Sequence, residues 1–200
     1  MPSTTPKTRS TPGSDDTNAP RPVERIVLTG FMGSGKSTVG RSLAKRLGWR
    51  FIDLDSLIEQ RDGRTVSRIF AESGEAAFRT METEALISSL QEPHLVVALG
   101  GGALETAANR HALAAASQTC TVLLTASFDT LYDRCRQQIV AAAESPLPVR
   151  PLLGDRDAAA ARLARRDANY RQTANLVLDT SAQKPEESLN ALLGLLRSIL

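Results

Sequence analysis

The stretch GFMGSGKST, residues 30–38, constrains this chain most, because it stands between an apolar run, RIVLTG (25–30), and a helical pattern over 36–47. It fits G-x-x-x-x-G-K-[ST] at the strand-to-helix junction that this motif requires. Gly30, Gly33 and Gly35 let the backbone curl until successive N–H groups converge on phosphate oxygens. The helix that follows turns its positive end toward the same anion. Lys36 is placed to reach the β- and γ-phosphates and Ser37 to offer a hydroxyl to Mg²⁺, with Ser34 and Thr38 flanking them. A nucleoside triphosphate is expected here, and the motif says nothing of the acceptor.

Beyond the loop, short β-rich runs alternate with longer helical ones. Strands are expected at 50–55, 94–100, 119–125 and 175–178, and helices at 65–70, 75–90, 129–138, 155–171 and 186–200. Continuous apolar strands alternating with helices imply one α/β domain, residues 23–200, with a parallel sheet covered on both faces. Residues 1–22 are rich in Ser, Thr and Pro, and are expected to form a disordered tail. A net charge of +2 and 4% aromatic residues argue against nucleic acid as a partner. No apolar run approaches the roughly 18–20 residues that cross a bilayer. Cys120 and Cys135 lie apart with no ligand-like histidine spacing, which fits reduced thiols in a cytoplasmic protein rather than a zinc site. A monomer is the default expectation.

Several residues are not required by a phosphate loop. Asp53 and Asp55 close the second expected strand as Asp-Leu-Asp, and strand alternation would turn both carboxylates toward the crevice beyond the strand ends. One could serve the magnesium shell and the other accept a proton from a hydroxyl; a helix cap beside a solvated charge is the plainer reading. Arg79 and Glu82 are three apart on a helix, a spacing that lets them touch. Gly100, Gly101 and Gly102 follow the third strand, where either a ligand approaches bare backbone or the turn is merely tight. Arg150-Pro151 falls in an irregular stretch of the kind that forms a lid, and Arg171 follows Tyr170 at a helix end.

Taken in order, GFMGSGKST, FIDLD, IFAESGEAAFRTMETE, VVALGGGA, RPLL, and YR followed by VLDT resemble the shikimate kinase family over nearly all of residues 25–185. The resemblance implies a three-layer P-loop kinase fold with strand order 2-3-1-4-5, a mobile lid at about 137–154, ATP with Mg²⁺, and transfer to the 3-hydroxyl of shikimate on the route to aromatic amino acids. It assigns Asp55 to the shikimate hydroxyls, Asp53 to the magnesium side, and Arg79 and Arg171 to the shikimate carboxylate, with Glu82 orienting Arg79. Gly101 and Gly102 would donate backbone N–H groups, and Phe70 and Phe78 would wall the ring, although helix core is an equally good reading of both phenylalanines. Arg150 becomes the lid arginine over the transferring phosphoryl group. Lys36, Asp55 and Arg150 are therefore the expected catalytic groups.

The sequence departs from the family in the lid, where AAAESPLP reads as an insertion. Arg134 and Arg136 compete for the adenine-packing position, with Arg136 favoured. The loop around Gln183, Lys184 and Pro185 should form the opposite wall. Two rivals remain: another small-acceptor kinase, such as a gluconate or nucleoside monophosphate kinase, and a catalytically silent ligand sensor on the same scaffold.

Overall fold

The computed structural model describes residues 22–143 and 155–200. Five strands form one parallel sheet: β1 (Arg25–Thr29), β2 (Arg50–Asp53), β3 (Leu95–Ala98), β4 (Thr119–Thr125) and β5 (Leu176–Asp179). Their spatial order is β2-β3-β1-β4-β5, as expected. The helices are α1 (Lys36–Leu47), α2 (Leu54–Asp62), α3 (Val66–Ser89), α4 (Ala107–Ala115), α5 (Phe128–Ala143), α6 (Arg156–Thr173) and α7 (Pro185–Leu196).

Strand alternation divides the core between the two sheet faces. Val27, Leu95, Val97 and Leu123 point to one side, where they meet Leu54, Ile69, Phe78, Leu86 and Tyr170. Ile26, Leu28, Val96, Val122 and Leu124 point to the other, onto Val39 and Leu43 of α1 and Leu192 and Leu196 of α7. Fully burying such a side chain contributes about 1.5–3 kcal/mol, so the central strands anchor the loops at their ends. β1 pairs with β3 and β4. Adjacent parallel strands set their C-terminal loops side by side, and the glycine-rich segments after β1 and β3 are such neighbours.

Several expectations change. The second strand stops at Asp53, and helix α2 begins at Leu54. Asp53 is thus the residue preceding a helix, and Asp55 sits in its first turn. Asp55 does not owe its direction to strand alternation. The expected pair of helices at 65–70 and 75–90, by contrast, holds: α3 is two helical segments that meet at a non-helical Gly74 with φ 81° and ψ 170°. Residues 103–115, unassigned from sequence, form a 3₁₀ turn, Ala103–Glu105, and helix α4. Of the expected lid, 137–143 continue helix α5, while 144–154, with Arg150, lie outside the described residues. Residues 1–21 of the expected tail also lie outside them. Pro22 is described, and its carbonyl accepts from Gln118 Nε2 at 3.2 Å.

Candidate active site

The phosphate loop rests directly on its neighbours. Gly33 has φ +77°, and a Cβ there would stand 2.4 Å from the Leu131 carbonyl oxygen and 2.9 Å from Cys135 Sγ, both on α5. Lys36 Nζ donates to the carbonyls of Gly30 at 2.8 Å and Phe31 at 3.0 Å, which holds the amine at the mouth of the loop. Gly35 precedes α1, Ser34 is buried, and Thr38 is exposed. Ser37 Oγ donates to Asp53 Oδ2 at 2.7 Å. A hydroxyl and a carboxylate at that spot form the hard-oxygen pair that suits Mg²⁺.

The second half of the site gathers around Gly100, Gly101 and Gly102. A Cβ on Gly100 would lie 2.7 Å from Asp55 Oδ1 and 3.1 Å from Glu82 Oε1. One on Gly101 would lie 3.6 Å from Arg166 Nη1 and 3.9 Å from the Gly30 carbonyl oxygen. One on Gly102 would lie 2.6 Å from Arg79 Nη2 and 3.1 Å from Arg166 Nη2. Two carboxylates and two guanidinium groups therefore surround a bare stretch of backbone that itself abuts the phosphate loop. The glycines are there because side chains would fill the space.

Arg79 Nη1 donates to Glu82 Oε2 at 2.9 Å, as its spacing suggested, and Arg79 Nη2 pairs with Glu75 at 3.0 Å. Glu82 is wholly buried, and its second oxygen, Oε1, has no hydrogen-bond partner among the described residues. Burial pushes the Glu82 carboxyl up to about 7, against the pull of Arg79, and nearby Asp55 adds to the rise. The Phe70 and Phe78 rings stand 4.7 Å apart. Phe78 is core, whereas Phe70 is 37% exposed.

Two arginine expectations change. Arg171 is exposed and pairs with Asp167 one turn away at 2.7 Å. The arginine of α6 at the glycine loop is Arg166, which sequence reading passed over because Arg165 and Arg166 look like surface charge on a polar helix. The visible signal was spacing: Arg166 lies four residues before Tyr170, one helical turn along the same face. Tyr170, also buried, donates its hydroxyl to the Gly101 carbonyl. At the other end of the site, Arg134 donates to Thr180 Oγ1 at 3.0 Å, to the Thr180 carbonyl at 2.6 Å and to the Gln183 carbonyl at 3.3 Å. Arg134 rather than the favoured Arg136, which is exposed, reaches the loop before α7. Lys184 is exposed at that loop's end, and its N–H donates to Glu187.

The family model described as shikimate kinase matches residues 32–197. The shikimate kinase of Geobacter metallireducens is 40% identical over 179 residues, covering 90% of this chain and 95% of that protein. The solved shikimate kinase from Acinetobacter baumannii, in complex with shikimate, superposes with a TM-score of 0.77 at 34% identity, covering 88% of this chain and 94% of that one. A gluconokinase from Sinorhizobium meliloti reaches 0.50 at 20% identity, covering 90% of this chain and 95% of that one, a likeness of fold alone. A match across most of the chain, on a site whose charged groups converge beside a phosphate loop, leaves one assignment: this chain belongs to the shikimate kinase family.

Proposed function

We propose that the chain transfers the γ-phosphoryl group of ATP to the 3-hydroxyl of shikimate, giving shikimate 3-phosphate and ADP for aromatic amino acid synthesis. The observation that carries this reading is the convergence of Asp55, Arg79 and Arg166 on Gly100, Gly101 and Gly102, where a Cβ on Gly101 would lie within 4 Å of Met32 N and the Gly30 carbonyl of the phosphate loop.

The phosphate loop binds the triphosphate through backbone N–H groups, with Lys36 on the β/γ side. Ser37 and Asp53 would hold Mg²⁺, which when bound neutralises phosphate charge. Arg79, backed by Glu82, and Arg166 form planar forks for the acceptor carboxylate. Asp55 orients the acceptor hydroxyl and takes its proton as the new P–O bond forms and the bond to the β-phosphate oxygen breaks. Gly101 and Gly102 offer backbone to the ring, and Phe70 covers its flank. Arg134 steadies the loop of Gln183, Lys184 and Pro185 against adenine. Arg150, outside the described residues, takes the lid role. Transfer then rests on positioning and charge neutralisation more than on covalent help from the protein. We read the enzyme as a cytoplasmic monomer.

Purified protein with ATP and Mg²⁺ should release ADP with shikimate and not with gluconate or nucleoside monophosphates. Equal turnover on gluconate would redirect the reading to another acceptor. Binding of both ligands without turnover would turn it toward a sensor.

A further inference from the structure

Glu105 closes the 3₁₀ turn that follows the three glycines and has no place in the mechanism so far. Its backbone is fixed from both sides. Its N–H donates to the Gly102 carbonyl at 2.9 Å, and the Ala103 N–H to the Gly100 carbonyl at 3.1 Å. Arg110, on α4, donates to the Leu104 carbonyl at 2.6 Å and the Glu105 carbonyl at 3.1 Å, and Asn109 donates to the Ala103 carbonyl at 2.9 Å. The glycines and Glu105 thus move as one piece.

The Glu105 side chain reaches across to α6. Oε2 receives Arg166 Nε at 2.8 Å and pairs with Nη2 at 2.6 Å. Oε1 receives Arg165 Nη2 at 3.0 Å and Nε at 3.2 Å. Arg165 is 66% exposed at its side chain and Arg166 only 10%, so the second pair is the one that solvent does not weaken. Occupying the Nε and Nη2 edge fixes the plane of the guanidinium and leaves Nη1 on the Gly101 side. Tyr170 adds a second tie between α6 and the glycine loop, since its hydroxyl donates to the Gly101 carbonyl.

Charge makes this tie necessary. Arg79 and Arg166 both crowd the open side of Gly102, where two cations repel. Arg79 has Glu82 behind it, and Arg166 has Glu105. Burial opposes ionisation of Glu105, but Arg166 and Arg165 outweigh it and hold the carboxyl below its ordinary range.

We propose that Glu105 is a positioning residue for acceptor binding: it locks Arg166 to the glycine loop, so that guanidinium and backbone N–H groups meet the acceptor as one rigid surface. The inference rests on the reading of Arg166 as a carboxylate fork. The test uses the full chain with ATP and Mg²⁺. Glu105→Gln should raise the KM for shikimate roughly tenfold, the scale of one charge-assisted hydrogen bond, and leave the KM for ATP and the melting temperature unchanged. With an acceptor in which hydroxymethyl replaces the carboxylate, Glu105→Gln and the parent should perform alike. Arg166→Lys keeps the charge and loses the fork, so adding Glu105→Gln to it should cost nothing further. An unchanged shikimate KM in Glu105→Gln, an additive double variant, or a joint rise of both KM values with falling stability would each overturn the proposal. If Arg166→Ala leaves shikimate binding intact, the carboxylate reading itself fails, and the positioning role with it.

Discussion

The two ends of this active site are built on different principles. The proposed phosphate end is one contiguous segment that would offer mostly backbone N–H groups, and its geometry follows from glycine placement and a helix start. The acceptor end takes Asp55 from α2, Arg79 and Glu82 from α3, three glycines from the β3 loop and Arg166 from α6. A backbone cradle tolerates side-chain drift and depends on space, while an assembled pocket tolerates crowding poorly and depends on pairing. The lesson is that two sets of glycines can be required for opposite reasons: Gly30 and Gly33 to rest on something, and Gly100, Gly101 and Gly102 to leave room for something.

The contrast can be broken most forcefully at Lys36. Lys36→Ala should lower kcat by about 10²- to 10³-fold with the fold retained, measured by coupled ADP release and circular dichroism. A loss confined to the KM for shikimate would show that the two ends are not separable. Next in size, Arg166→Ala should lower kcat/KM for shikimate by about 10- to 100-fold, the loss of a buried charge-assisted contact. Arg171→Ala, which removes an exposed pair worth about 0.3–0.5 kcal/mol, should stay near parent values. Reversal of that order would return the carboxylate role to Arg171.

A pair of glycine variants sharpens the point. Gly33→Ala drives a Cβ to 2.4 Å from backbone on α5 and places it at positive φ, so it should lower the melting temperature by several degrees. Gly102→Ala meets first the ends of Arg79 and Arg166, side chains that can give way, so it should leave melting nearly intact and raise the KM for shikimate. The smallest effect is electrostatic. Because burial raises the Glu82 carboxyl to about 7 from an ordinary 4.5, the folded chain binds more protons than the unfolded one between those values. Its contribution to stability is full below pH 4.5 and declines as pH rises through 7. Glu82→Gln should flatten that part of a stability-versus-pH curve measured by denaturant titration.

How much of this was legible beforehand divides along the same line. The sheet order, the cradle and α1 were readable because their determinants are local: an apolar run, a glycine spacing, a helix pattern. The Arg79–Glu82 pair was readable for the same reason, being three residues apart on one helix. Asp55 was identified, but by the wrong geometry, since helix α2 starts earlier than the strand-like FIDLD suggested. Arg166 was missed because its partners, Glu105 and Gly102, are some sixty residues away in sequence and adjacent only through the packing of α6 on the glycine loop. Arg134 was passed over for Arg136 because two residues apart on a helix means nearly opposite faces, and which face of α5 meets Thr180 is not written in the local sequence.

The kink in α3 divides the ring wall. Gly74 adopts backbone angles open essentially to glycine alone, although among the described residues nothing lies within 4 Å of where its Cβ would be. Phe70 stands before that joint, while Phe78, Arg79 and Glu82 stand after it. The two rings proposed to wall the acceptor thus come from different helical segments and meet across the break, their centroids 4.7 Å apart.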